Sequence, residues 1–89
     1  MISENSKIIN GKIIKIEKRK NSKYLYNIFI KDQKNNIYKT IINTRFFNTL
    51  NLNENISILG KTVKFGSIYK LLSRKIIYKG KSFDIISFH

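Results

Sequence analysis

The chain contains no cysteine. Disulfides, thiolate metal sites and cysteine nucleophiles are therefore excluded, and the redox compartment is left open. Proline is absent as well, and no stretch of small linker residues interrupts the 89 residues, so a single domain is expected over the whole chain, with residues 1–7 as a loose leading segment. The one histidine is His89, the last residue, a position where fraying is the default and a catalytic base is not expected. The five carboxylates, Glu4, Glu17, Asp32, Glu54 and Asp84, are scattered. No two of them share a spacing suited to acid–base catalysis or cation ligation. Neither a glycine-rich phosphate loop nor a zinc-ligand spacing is present. The expectation is a non-enzyme without metal or cofactor.

Long apolar runs are missing too. None exceeds three residues, too few to cross a membrane as a helix, and no membrane partner is expected. Residues 1–7 lack the apolar core of a secretory signal, so a cytoplasmic location is expected. Tryptophan and alanine are both absent. The apolar weight falls on Ile, Tyr and Phe, which favour strands over helices.

What the chain does have is positive charge. Eighteen Lys and Arg stand against five Asp and Glu, a net +13, and the cations are scattered through the Ile, Tyr and Phe runs. An AT-rich genome would raise Lys, Asn and Ile but would not make acidic residues scarce. A hydrophobic fraction of 42% is enough for one small core despite the charge. Five Tyr and six Phe share the same short segments with the cations. Cations alone would serve duplex binding; cations interleaved with rings suit single-stranded nucleic acid, a charged polymer with flat faces.

Along the chain, short strands alternate with polar turns. Strands are expected from Ile8 to Glu17, Tyr24 to Lys31, Ile37 to Thr44 and Ile56 to Phe65. A closing hairpin is expected from Arg74 to Tyr78 and from Ser82 to Phe88, with the turn at Lys79-Gly80-Lys81. Lys18 to Lys23 and Asp32 to Asn36 read as turns, Arg45 to Asn53 as a short helix or irregular crossover, and Gly66 to Ser73 as a loop or an extension of a hairpin. The second strand sorts by alternation: Tyr24, Tyr26, Ile28 and Ile30 face one way, Leu25, Asn27, Phe29 and Lys31 the other. The third strand has no clean face. Gly11 and Gly60 sit inside strand patterns and mark a bulge or sharp bend. Together these features fit an all-β fold, a small five-stranded barrel with a long connection between strands three and four.

At this point the residues resemble a family. Ile9-Asn10-Gly11-Lys12-Ile13-Ile14-Lys15 looks like the first strand of the bacterial single-stranded DNA-binding proteins. Tyr24-Leu25-Tyr26-Asn27-Ile28-Phe29-Ile30 resembles their second strand and Tyr38-Lys39-Thr40-Ile41-Ile42 their third. Asn55-Ile56-Ser57-Ile58-Leu59-Gly60-Lys61-Thr62-Val63 is similar to the fourth, and Lys79-Gly80-Lys81-Ser82-Phe83-Asp84-Ile85-Ile86 to the last turn and strand. The resemblance covers residues 8 to 88 and implies an oligonucleotide-binding (OB) barrel, a homodimer and a role in DNA replication, restart or recombination. The family's long tail with an acidic tip has no counterpart here, which brings the chain nearer to the tail-less primosomal replication proteins.

The candidate phosphate contacts fall in three groups. Lys18, Arg19, Lys20 and Lys23 lie in the first turn. Lys31 and Lys39 lie on strands two and three. Lys70, Arg74, Lys75, Lys79 and Lys81 lie around the last long hairpin. In an OB barrel these groups are expected to converge on one groove. Phe29, Tyr38, Tyr69 and Tyr78 are the candidate stacking rings, each also able to fill the core; Tyr38 matches the position where the family stacks a base. Phe46, Phe47, Phe65, Phe83 and Phe88 are assigned to the core or a subunit interface. Two other readings stay open. One is a structural RNA-binding protein of ribosomal type. The other is an interaction module for an acidic partner, such as a replication helicase or a separate single-strand binding protein.

Overall fold

A computed structural model describes residues 6–43 and 50–84. Six strands follow one another: β1 (Ser6–Lys18), β2 (Leu25–Lys31), β3 (Ile37–Asn43), β4 (Asn55–Phe65), β5 (Ile68–Tyr78) and β6 (Lys81–Asp84). The sheet order is β3-β2-β1-β4-β5-β6, and β3 also pairs with β5. That extra pairing joins the two ends of the five-strand sheet, so β1 to β5 form a closed barrel and β6 is appended to β5. Every neighbouring pair is antiparallel except the β3–β5 seam, which is parallel. No helix occurs among the described residues. The architecture is all-β and OB-like.

The long first strand belongs to both halves of the barrel. Ser6 to Lys12 pair with β4, and Lys12 to Lys18 pair with β2. Gly11 lies just before the handover. A Cβ there would come within 2.6 Å of the Lys31 carbonyl oxygen, so the close approach of β2 requires glycine. The expected bulge lies three residues further on, at Ile14, which has no partner between the Ile13↔Ile30 and Lys15↔Phe29 pairs. Gly60 does mark a bulge: Leu59 faces Lys75 and Gly60 faces Ser73, which leaves Arg74 as the extra residue. A Cβ on Gly60 would collide with the Leu72 carbonyl.

The core is a lining of isoleucines. Ile13, Ile28, Ile30, Ile42, Ile58 and Ile76 have no exposed surface, and burying each such side chain contributes about 1.5–3 kcal/mol. On β2 the expected alternation holds for Ile28 and Ile30 inside and Phe29 outside. On β3, Tyr38, Thr40 and Ile42 point inward. The polar pair inside the barrel is satisfied, since Thr40 Oγ1 and Ser73 Oγ are 2.6 Å apart across the seam.

Of the two readings of Gly66 to Ser73, the hairpin extension holds: Gly66 and Ser67 form a two-residue turn, and β5 starts at Ile68. The Leu71 side chain enters the core, and that burial fixes the segment as strand. The expected helix or crossover over Arg45 to Asn53 falls partly on residues 44–49, outside the described residues; Leu50 to Glu54 run as a turn. The final strand is described from Lys81 to Asp84, and its expected continuation to Phe88 lies outside the described residues.

Candidate nucleic-acid interface

The barrel register assembles a row of side chains across four strands. Lys15 on β1 faces Phe29 on β2, Phe29 faces Lys39 on β3, and Lys39 faces Lys70 on β5. All four stand on the outer surface, Lys15 and Lys70 exposed, Phe29 and Lys39 half-buried. The Lys15 ammonium lies 5.4 Å from the Phe29 ring centre and that of Lys39 5.8 Å, within cation–π reach. A flat apolar face is thus bracketed by two positive charges, with a third one strand further on.

Neighbouring rows extend the surface. Lys12 faces Lys31, and Lys31 faces Ile37. On the other side, Asn27 faces Ile41, and Arg19 reaches in from the first turn, donating from Nη1 to Asn27 Oδ1 at 3.3 Å. Lys15 also pairs with Glu17 at 3.1 Å. Among the described residues no carboxylate pairs with Lys12, Lys31, Lys39 or Lys70. Lys12–Lys31 and Lys39–Lys70 are therefore like charges directly opposite each other, an arrangement that destabilises a sheet and that a bound polyanion would relieve.

The sequence-predicted residues divide between this surface and other places. Phe29, Lys31, Lys39, Lys70 and Arg19 come together on it. Lys18, Lys20 and Lys23 are exposed at the first turn beside Arg19. Arg74 is the exposed extra residue of the β5 bulge, and Lys75 faces Leu59 of β4, so neither joins the row. Lys79 pairs with Glu54 at 3.7 Å and lies 5.4 Å from the Tyr78 ring centre. Lys81 opens β6, opposite Tyr78. The last-hairpin group thus supplies Lys70 alone to the row, because β5 pairs with β4 along its whole length but is in register with β3 only at Tyr69 and Lys70.

The rings divide similarly. Tyr38 is 7% exposed and Tyr78 2%; neither offers a face to a base, and both serve as core. The Tyr38 hydroxyl donates to Asp32 Oδ2 at 3.0 Å, and its ring stacks on Tyr69 with centres 5.2 Å apart. Burial pushes the Tyr38 phenol up, and the bond to Asp32 adds to it. Burial acts to raise the Asp32 carboxyl as well, but hydrogen bonds from Asn36, Tyr38 and Lys34 outweigh it and hold the group below its ordinary value. Tyr69 has one face on Tyr38, and the Lys64 ammonium lies 5.4 Å from its ring centre.

Tyr78 ties down the far end of the barrel. Its hydroxyl bonds to Glu54 Oε1 and accepts from the Asn51 amide at 3.2 Å. Burial raises the Tyr78 phenol, and the bond from Tyr78 is the largest cause lowering the Glu54 carboxyl. Phe29 is the candidate ring left on the outer row.

Three surface residues escaped the sequence reading. Lys12 and Lys15 enter through the Ile14 bulge and the double pairing of β1, which alternation does not reveal. Phe65, assigned to the core or an interface, stands outside the core at the end of β4, 73% exposed. Phe46, Phe47 and Phe88 lie outside the described residues, as does the Phe83 side chain. No group of three or more His, Cys, Asp or Glu that could hold a metal ion occurs among the described residues. Compared with known proteins, the chain matches no family model, no curated protein and no solved structure.

Proposed function

We propose that this chain is a non-catalytic, OB-type single-stranded DNA-binding protein that acts in the cytoplasm in DNA replication, replication restart or recombination. The observation that carries the reading is the Lys15–Phe29–Lys39–Lys70 row. A base stacked on Phe29 gains about 1–3 kcal/mol, and the flanking ammonium groups sit where its phosphates pass. The Lys12–Lys31 and Lys39–Lys70 juxtapositions, without a paired carboxylate among the described residues, favour a ligand that brings negative charge to both. The resemblance of residues 8 to 88 to the bacterial single-stranded DNA-binding proteins supports the same reading. So does the OB-like barrel, a fold that binds oligonucleotides on its second and third strands.

The proposal includes a homodimer and a replication helicase or separate single-strand binding protein as partner. The outer surface of β1 and β5 offers apolar area for self-association: Ile8 on β1 and Leu72 and Ile77 on β5 are exposed there. Sedimentation equilibrium tests it; a monomer at all concentrations removes the dimer from the proposal.

The functional test is fluorescence-anisotropy binding to a single-stranded DNA oligonucleotide, its duplex and the matching RNA, each over a salt series. Single-strand binding that weakens steeply with salt, yet outlasts duplex binding, is the expected result. Tighter binding to the RNA moves the function to RNA. Equal, salt-labile binding to all three reduces the surface to a general polyanion binder and overturns the proposal.

A further inference from the structure

The β4–β5 hairpin ends in a ring. Phe65 faces Ile68 across the two-residue turn of Gly66 and Ser67. At 73% it is the most exposed large apolar side chain among the described residues. Strand alternation puts Val63, 52% exposed, on the same side of β4. Val63 faces Lys70, so Val63, Phe65, Ile68 and Lys70 form one continuous outer patch. Lys70 also faces Lys39, which faces Phe29. The patch is therefore an extension of the candidate interface, reached by crossing two cations.

Its make-up differs from that of the Phe29 row. Around Phe29 a single ring sits between ammonium groups, which suits one base between phosphates. At the hairpin end three apolar side chains lie side by side, with Lys70 and the exposed Lys61 on the inner border; the nearby Lys64 ammonium is turned to the other side of the hairpin, over Tyr69. An uncharged platform wider than one ring, with cations on one side of it, matches the exposed face of a terminal base pair whose strand leads away over the cations. An apolar cluster of this kind on a highly charged surface marks a contact site.

Building on the single-strand reading, we propose that Val63, Phe65 and Ile68 cap the last base pair of a duplex at a junction between double-stranded and single-stranded DNA. The single strand leaves the junction along Lys70, Lys39 and Phe29. The chain then recognises where a duplex ends, in addition to binding the strand that emerges from it.

The test compares three DNA ligands by anisotropy: a single-stranded oligonucleotide, the same oligonucleotide as a tail on a hairpin duplex, and the blunt hairpin alone. The wild type is expected to bind the tailed duplex at least about fivefold more tightly than the free tail, the lower end of a stacking contribution. Phe65→Ala is expected to lose that preference while keeping its affinity for the free tail. Phe65→Trp, the only tryptophan in the chain, is expected to keep the preference and to lose more fluorescence on the tailed duplex than on the free tail. Equal wild-type affinity for tail and tailed duplex overturns the junction proposal while leaving single-strand binding intact. An equal loss on both ligands in Phe65→Ala also overturns it and makes Phe65 one more single-strand contact. Failure of the wild type to bind the free tail sinks the single-strand reading, and the junction proposal with it.

Discussion

Tyr38 and Tyr69 face each other across the parallel β3–β5 seam, their rings stacked with centres 5.2 Å apart. The seam holds only two register pairs, Tyr38↔Tyr69 and Lys39↔Lys70, so ring stacking and the Thr40–Ser73 bond reinforce a short ladder. Tyr38→Ala is therefore expected to cost about 3–5 kcal/mol in urea unfolding, the range for removing a buried ring. Tyr38→Phe keeps the ring and removes the bond to Asp32, at a cost of about 1 kcal/mol. Because Tyr38 is core, Tyr38→Phe is expected to bind single-stranded DNA as the wild type does.

Stability is expected to fall at both ends of the pH scale. Asp32 and Glu54 have folded-state values below their ordinary ones, 3.8 and 4.5. The stabilisation they give is complete above those ordinary values and is lost as pH falls through the lower folded-state ones. Tyr38 and Tyr78 are raised above 10.0, so the unfolded chain ionises first and stability drops as pH rises past that point. The urea midpoint should be level between about pH 5 and pH 9 and decline on either side. Asp32→Ala should reduce the slope of the acid limb; an unchanged slope removes Asp32 from this role.

Gly60→Ala places a methyl group against the Leu72 carbonyl at the β5 bulge. Overpacking of this kind costs about 1–3 kcal/mol. Thermal or urea unfolding measures it, and a variant as stable as the wild type would show that β5 can move aside.

The bulges also set what the sequence reveals. On β2, unbroken alternation makes Ile28 and Ile30 legible as core and Phe29 as surface. On β1 the inward residues are Ile9 and Ile13 and then, past the extra Ile14, the half-buried Ile16, which packs on the core. On β5 they are Leu71 and Ser73, then Ile76 and Tyr78 past the extra Arg74. Each bulge reverses the parity of the pattern, which hides Lys15 as a partner of Phe29 and leaves the start of β5 open between loop and hairpin extension. β3 is illegible for another reason: its outward Ile37 and Ile41 are as apolar as its inward Ile42. The charge and the rings announce a polyanion surface, but choosing among the rings needs the register, which puts Tyr38 and Tyr78 inside and Phe29 outside.

Lys39 separates function from stability. It faces Lys70 with no carboxylate paired to either among the described residues. Lys39→Gln is expected to leave the free protein as stable as before or to gain a few tenths of a kcal/mol by relieving the like-charge pair. Single-strand binding should weaken, with the slope of log K against log salt reduced by about 0.7, the value for one phosphate contact. A loss of stability with unchanged binding would make Lys39 a structural residue.

The most direct measurement is single-stranded DNA affinity of the wild type and Phe29→Ala over a salt series reaching high salt. Counterion release fades as salt rises, while stacking does not. The wild type is expected to keep a residual affinity at high salt that Phe29→Ala lacks, the two differing by about 1–3 kcal/mol throughout with parallel salt slopes. Coincident curves at every salt concentration would show that the ring between Lys15 and Lys39 takes no base, and would contradict the interface described for this barrel.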